Sequence, residues 1–162
     1  MTDVAIEIER KFLVAELPGD LDRHPARPVR QGYLAVEGGG SEVRIRQIGE
    51  TTVLTVKRGG GRTRVEEEVR IEPDAFARLW PLTEGRRVEK VRHLVPAGDG
   101  LVLEVDVYEG DLAGLLVAEV EFPSEAAADA WTPPPWLGAE VTTDERYKNH
   151  RLASEGIPAH RF

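Results

Sequence analysis

Glu7-Ile8-Glu9-Arg10-Lys11-Phe12-Leu13-Val14 decides how the rest of this chain is read. A strand sends alternate side chains to opposite faces, so Glu7, Glu9 and Lys11 share one face and Ile8 and Phe12 the other. Side chains two residues apart on such a strand stand roughly 6 to 7 Å apart. The same spacing returns in Arg44-Ile45-Arg46, Glu66-Glu67-Glu68, Lys90-Val91-Arg92, Glu104-Val105-Asp106 and Glu119-Val120-Glu121. Four segments pair acids and two pair bases, with Lys11, Lys57 and Arg64 added singly on the same parity. An anionic ligand held together with a divalent metal needs both kinds of group.

Composition narrows the chemistry. A chain of 162 residues suits one domain spanning 1–162. Its formal charge of −8 gives no support to nucleic-acid binding driven by overall charge, while a local cationic pocket stays open. There is no cysteine, so disulfides and thiolate zinc sites are excluded, and the four histidines lack ligand spacing. A metal site would be carboxylate-rich and suited to Mg²⁺ or Mn²⁺. No apolar run reaches membrane-spanning length and the start shows no leader pattern, so a cytoplasmic protein without membrane attachment is expected.

Alternation predicts strands over 4–14, 31–36, 42–48, 51–57, 62–71, 87–95, 101–108 and 115–122. Gly38-Gly39-Gly40, Gly49-Glu50 and Gly59-Gly60-Gly61 supply tight turns, and the prolines of 18–30 predict loop with at most one helical turn. Pro73 opens a helix with Phe76, Leu79 and Trp80 on its apolar face, and Ser124 caps a second ending near Trp131. Thr142 or Thr143 caps a third containing Glu145, Tyr147, Lys148 and Leu152. Trp80, Trp131, Trp136 and Phe76 read as packing between helix and sheet.

For any single segment, a charged face turned to water explains the alternation equally well. The repetition of tight charge pairs predicts instead an α+β fold built on a closed, antiparallel, eight-stranded β-barrel. Its apolar parity would pack outward beneath the short helices, and its charged parity would line a water-filled lumen.

Glu7-Ile8-Glu9-Arg10-Lys11 resembles the ExExK signature of the CYTH superfamily, the triphosphate tunnel metalloenzymes. Phe12-Leu13-Val14, Gln31-Gly32-Tyr33-Leu34, Arg44-Ile45-Arg46, Leu54-Thr55-Val56-Lys57, Lys90-Val91-Arg92 and Glu119-Val120-Glu121-Phe122 follow in the family's order. Asp144-Glu145-Arg146-Tyr147-Lys148-Asn149 resembles the C-terminal signature of the short bacterial members. The resemblance runs from Ile6 to Leu152.

This resemblance implies a linear triphosphate as small-molecule partner, gripped by Lys11, Arg44, Arg46, Lys57, Arg64, Lys90, Arg92 and Lys148. It implies Mg²⁺ or Mn²⁺ bound among Glu7, Glu9, Glu119 and Glu121, with Glu68, Glu104 and Asp106 as further metal ligands. Lys11, Glu66, Glu68 and Asp106 are the candidate catalytic groups, the acids holding a second metal or orienting water. Tyr33 is a gate or a packing tyrosine. Hydrolysis of inorganic tripolyphosphate is the first expectation. Thiamine triphosphatase, nucleoside triphosphatase, class IV adenylate cyclase and a non-catalytic polyphosphate-binding module are the alternatives. A homodimer is compatible with the sequence.

Overall fold

The computed structural model describes residues 7–58 and 65–159. In chain order its elements are β1 (Ile8–Val14), β2 (Ala26–Val36), β3 (Glu42–Ile48), β4 (Thr51–Arg58), β5 (Val65–Arg70), α1 (Pro73–Leu79), β6 (Arg87–Pro96), β7 (Val102–Tyr108), β8 (Leu116–Phe122), α2 (Glu125–Ala130), β9 (Leu137–Glu140) and α3 (Asn149–Glu155). Short 3₁₀ turns occupy Leu21–Arg23, Trp80–Thr83, Gly110–Leu112 and Glu145–Tyr147. No helix among the described residues is long and apolar enough to cross a membrane.

The fold is α+β, but the expected eight-stranded barrel is corrected to a nine-stranded sheet that does not close. Its order is β5-β4-β3-β2-β6-β7-β8-β1-β9, which leaves β5 and β9 as edges. All six residues of β5 are exposed, and β9 has only four residues and a register shift against β1. Closure was expected because the repetition of tight charge pairs is unlike an ordinary face turned to water. Cross-strand ion pairs on the sheet face neutralise the charges, which therefore do not require an enclosing wall.

By their contacts the described residues form two compact units, one of 7–27 and 90–145, the other of 28–58, 65–89 and 146–159. In the first, β1 pairs antiparallel with β8, and β8 with β7. The apolar parity of these strands forms a core of Phe12, Val14, Leu103, Val105, Ala118, Val120 and Phe122, closed by Ala128 of α2 and Leu137 of β9. Trp131 packs its ring 5.9 Å from Phe12 and 5.6 Å from Phe122. Each fully buried side chain of this size contributes about 1.5–3 kcal/mol, so the apolar parity alone specifies which way β1 faces. Ser124 caps α2 as expected, its hydroxyl accepting from Ala127 N at 3.1 Å.

In the second unit β2, β3, β4 and β5 form an antiparallel meander. The turn from β3 to β4 places Gly49 at φ 57°, a left-handed conformation that glycine adopts without a steric cost. Pro73 opens α1 at its first turn, and Phe76 stacks on Trp80 at 5.4 Å. The guanidinium groups of Arg30 and Arg87 lie 4.3 and 4.5 Å from the centre of the Trp80 ring.

Three boundaries differ from expectation. β2 begins at Ala26, inside the proline-rich stretch, because Pro28 still offers its carbonyl, which accepts from Gly49 N at 3.1 Å. The third helix begins at Asn149, after the 3₁₀ turn Glu145–Tyr147, and Thr142 bonds to β1 instead of capping it. β9 is an additional strand. The predicted strand start at 4–6, the Gly59-Gly60-Gly61 turn and Arg64 lie outside the described residues.

Gly32 explains why Gln31 and Tyr33 are separated by a residue without a side chain. A Cβ there would stand 2.5 Å from Cβ and Oγ1 of fully buried Thr83, whose hydroxyl donates to Trp80 O and accepts from Arg87 Nε. Gly32→Ala is expected to cost about 1–3 kcal/mol by overpacking, measured as a shifted denaturant midpoint with an unchanged m-value.

Candidate active site

In the unit built on β1, β7 and β8, strand register gathers the charged parity. Lys11 lies opposite Glu119, Glu9 opposite Glu121, Glu104 opposite Glu119, and Arg92 of β6 opposite Asp106. Lys11 Nζ is 3.3 Å from Glu119 Oε1. Arg92 grips Asp106 with both arms of its fork, Nε to Oδ1 at 2.8 Å and Nη2 to Oδ2 at 2.9 Å, while its Nη1 reaches Glu104 Oε2 at 2.9 Å. Lys90 Nζ meets the same Asp106 Oδ2 at 2.7 Å, and its cation lies 5.2 Å from the centre of the Tyr108 ring.

Burial differs sharply along this face. Asp106 is 0 % exposed and Lys90 3 %, whereas Glu7 and Glu121 are exposed, and Glu9 is exposed as a residue while its carboxyl is crowded by neighbouring groups. Burial would raise Asp106, but the charges of Lys90 and Arg92 outweigh it and hold the carboxyl below its ordinary value. Burial would likewise lower Arg92, yet its hydrogen bonds to Asp106 keep the guanidinium more firmly protonated than usual. The Tyr108 hydroxyl is pushed well above its ordinary value by burial, with the Asp106 charge adding to it.

The acidic end behaves oppositely. Loss of solvent around the carboxyl, followed by repulsion from Glu119, pushes Glu9 up to about 7 against the opposing pull of Lys11. Glu7 adds repulsion, and a hydrogen bond to Glu119 favours the protonated form. Glu104 is also raised, by burial and by Glu119, although Arg92 opposes the shift. Among the described residues no three carboxylates converge into a ready-made coordination cluster. The donor set nonetheless fits a hard cation, because Glu9 and Glu119 crowd negative charge that protonation otherwise relieves.

This arrangement sets a pH dependence with opposite signs at its two ends. Between the ordinary carboxylate pKa and about 7 the folded chain keeps Glu9 protonated while the unfolded chain does not, so Glu9 lowers stability as pH rises through that window. Asp106 contributes stability above its unfolded pKa and loses it as pH falls through the depressed folded value. Metal-free protein is therefore expected to melt higher at about pH 5 than at about pH 8, with a further loss in strong acid. Mg²⁺ should raise the melting temperature more at the higher pH, since binding needs the ionised carboxylate. Thermal scans with and without Mg²⁺ check both statements.

In the other unit, Glu42, Arg44, Arg46, Lys57, Glu66 and Glu68 share one face of β3, β4 and β5. Arg44 lies 3.4 Å from Glu42 and 3.9 Å from Glu66, Arg46 3.9 Å from Glu68, and Lys57 3.9 and 3.8 Å from Glu42 and Glu66. These pairs are longer than those around Asp106. Nε of Arg44 and the hydroxyl of Thr55 are buried with no hydrogen-bond partner among the described residues. Such atoms retain unused capacity for an oxygen-rich ligand. Lys148 is half-buried and precedes the first turn of α3, where its carbonyl accepts from Arg151 N and Leu152 N, both at 2.9 Å.

The sequence-predicted residues thus fall into two sectors. Glu7, Glu9, Lys11, Lys90, Arg92, Glu104, Asp106, Glu119 and Glu121 belong to one unit, and Arg44, Arg46, Lys57, Glu66, Glu68 and Lys148 to the other. Glu42 is given no role by the sequence reading, and Gln31 and Thr55 enter it only within the segments Gln31-Gly32-Tyr33-Leu34 and Leu54-Thr55-Val56-Lys57. Glu42 shares the parity of Arg44 and Arg46, a signal that was present. Gln31 and Tyr33 are buried on this same face, with Gln31 Nε2 donating to the Tyr33 hydroxyl at 2.6 Å and His150 edge-on to the Tyr33 ring.

Ion-paired strands carrying this order of acids and bases define a class: residues 5–152 match the CYTH domain, and the chain belongs to that family. It is 52% identical over 147 residues to the inorganic triphosphatase of Nitrosomonas europaea, covering 91% of this chain and 96% of that protein. To the inorganic triphosphatase of Acetivibrio thermocellus it is 39% identical over 150 residues, covering 90% and 92%. The crystal structure of the inorganic triphosphatase NE1496 superposes with a TM-score of 0.77 at 47% identity, covering 96% of this chain and 98% of that one.

Proposed function

We propose that this chain is an inorganic triphosphatase, hydrolysing linear tripolyphosphate to diphosphate and phosphate with Mg²⁺ or Mn²⁺, in the cytoplasm. The carrying observation is the register of β1 against β8, which sets Glu9 opposite Glu121 and Lys11 opposite Glu119, with Lys11 Nζ 3.3 Å from Glu119 Oε1, so that three acids and a base meet on one face as a cation and a phosphate held together require. The high identity to two inorganic triphosphatases over nearly their whole length supports the same reading.

Glu7, Glu9, Glu119 and Glu121 are the residues that would hold the metal. When bound, the cation supplies Lewis-acid stabilisation of the charge that builds on the phosphoryl oxygens. In the first unit Lys11 and Arg92, with Lys90 behind them on Asp106, are the cations that would bind phosphoryl oxygens; the second unit by itself presents Arg44, Arg46, Lys57 and Lys148 as cations of the same kind. Arginine forks fix oxygen positions and lysines add compact charge. Because both oxygens of Asp106 are already committed to Arg92 and Lys90, we assign it to holding those two cations in place ahead of ligating metal. Glu66, Glu68 and Glu104 keep more solvent contact and are the acids available to orient water or a second ion.

Phosphate release from tripolyphosphate, ATP and thiamine triphosphate, each with Mg²⁺ or Mn²⁺, tests the proposal. Tripolyphosphate should be turned over fastest and the reaction should stop with chelator. Faster turnover of an organic triphosphate would contradict it, as would binding of tripolyphosphate without release.

A further inference from the structure

Arg10 sits on the wrong parity. It shares the outward face of β1 with Ile8 and Phe12, where its guanidinium lies 5.1 Å from the centre of the Phe12 ring and 5.8 Å from that of Trp131. Its Nη1 donates to Ala128 O at 2.9 Å and Trp131 O at 3.2 Å, at the end of α2. Its Nη2 and Nε meet Glu140 Oε1 and Oε2 at 2.6 and 3.2 Å. The Thr142 hydroxyl donates to Glu140 Oε2 at 2.6 Å and accepts from Lys11 N at 3.0 Å. Val141 N donates to Lys11 O at 2.8 Å.

Both backbone groups of Lys11 therefore point away from β8. In an antiparallel pair that makes Lys11 and Glu119 a non-hydrogen-bonded pair, whose side chains approach closely but whose backbones do not hold each other. On the opposite side, β9 ends at Glu140 and its register slips between Phe12 and Val14. On that side Lys11 is thus anchored by Val141 and Thr142, just past the last residue of β9. Thr142 is oriented by Glu140, and Glu140 by Arg10.

We propose that Arg10, Glu140 and Thr142 form a positioning relay for Lys11, setting the direction in which its ammonium leaves β1 toward the substrate. The relay rests on the proposed function for its catalytic consequence, while its structural part stands independently. A misplacement of about 1 Å in a group that grips the reacting phosphate can cost up to 10²-fold in rate.

Thr142→Val keeps the shape and removes the hydroxyl that accepts from Lys11 N. It is expected to speed exchange of the Lys11 amide by about tenfold or more, and to lower kcat on tripolyphosphate by about tenfold without a matching change in KM. Thr142→Ser restores the hydroxyl and should recover both. Arg10→Lys cannot reproduce the fork and should give an intermediate loss, and it serves as the test variant if Thr142→Val does not fold. Wild-type exchange and wild-type kcat in Thr142→Val, or an equal loss in Thr142→Ser, would overturn the relay. Faster exchange with unchanged kcat would overturn its positioning role while leaving the function intact. Failure of the wild-type protein to hydrolyse tripolyphosphate would instead overturn the function, and the exchange measurement would still judge the relay.

Discussion

Glu9→Gln is expected to lower Mg²⁺-dependent tripolyphosphate hydrolysis by about two orders of magnitude or more, the scale of removing a group that organises charge at the reacting centre. The same substitution should not destabilise the metal-free fold. Glutamine imitates the protonated carboxyl that the folded chain already favours, since Glu9 is pushed up to about 7 by lost solvent and by Glu119. At about pH 8, where Glu9 must otherwise ionise against its neighbours, the variant should melt at or above the parent. Stability and activity thus move in opposite directions. Kinetic assays and metal-free thermal scans on one preparation read both, and parent-level turnover or a lowered melting temperature would contradict the assignment.

Asp106→Asn should have the largest effect on folding. Asp106 is fully buried and accepts from two cations, of which Lys90 is 3 % exposed. Removing the negative partner leaves those cations uncompensated, a loss of about 3–5 kcal/mol for a broken buried pair. Adding Lys90→Met should recover part of that loss, because it removes one of the orphaned charges together with its desolvation cost. Chemical denaturation of the two single variants and the double variant measures the coupling. Additive effects would show that Lys90 and Asp106 do not act as a unit.

The charged face of these strands was legible because strand parity is a strict rule. Glu9, Lys11, Glu119, Glu104 and Arg92 each alternate with an apolar residue, and burying Phe12, Val105 and Val120 fixes where the charged parity points. Closure was not legible for the same reason: parity says which face a side chain occupies and carries nothing about whether two edges meet. β9 was missed because Leu137-Gly138-Ala139-Glu140 is short and lacks alternation, and it is held to β1 partly by the side chains of Arg10 and Thr142. Arg10 entered only as a filler position of the Glu7-Ile8-Glu9-Arg10-Lys11 signature, although it stands out of phase with the charged residues around it. Asp106 looked equivalent to Glu104 in sequence, and only its burial between Lys90 and Arg92 separates a carboxylate spent on two cations from one open to water.

Anomalous diffraction from a crystal grown with Mn²⁺ and tripolyphosphate measures directly whether this ionic face is the catalytic centre. The account predicts manganese bonded to the Glu9 carboxylate together with Glu119 or Glu121, and triphosphate oxygens against Lys11 and Arg92. Manganese and triphosphate bound elsewhere, with Glu9 still facing Glu119 unliganded, would contradict it.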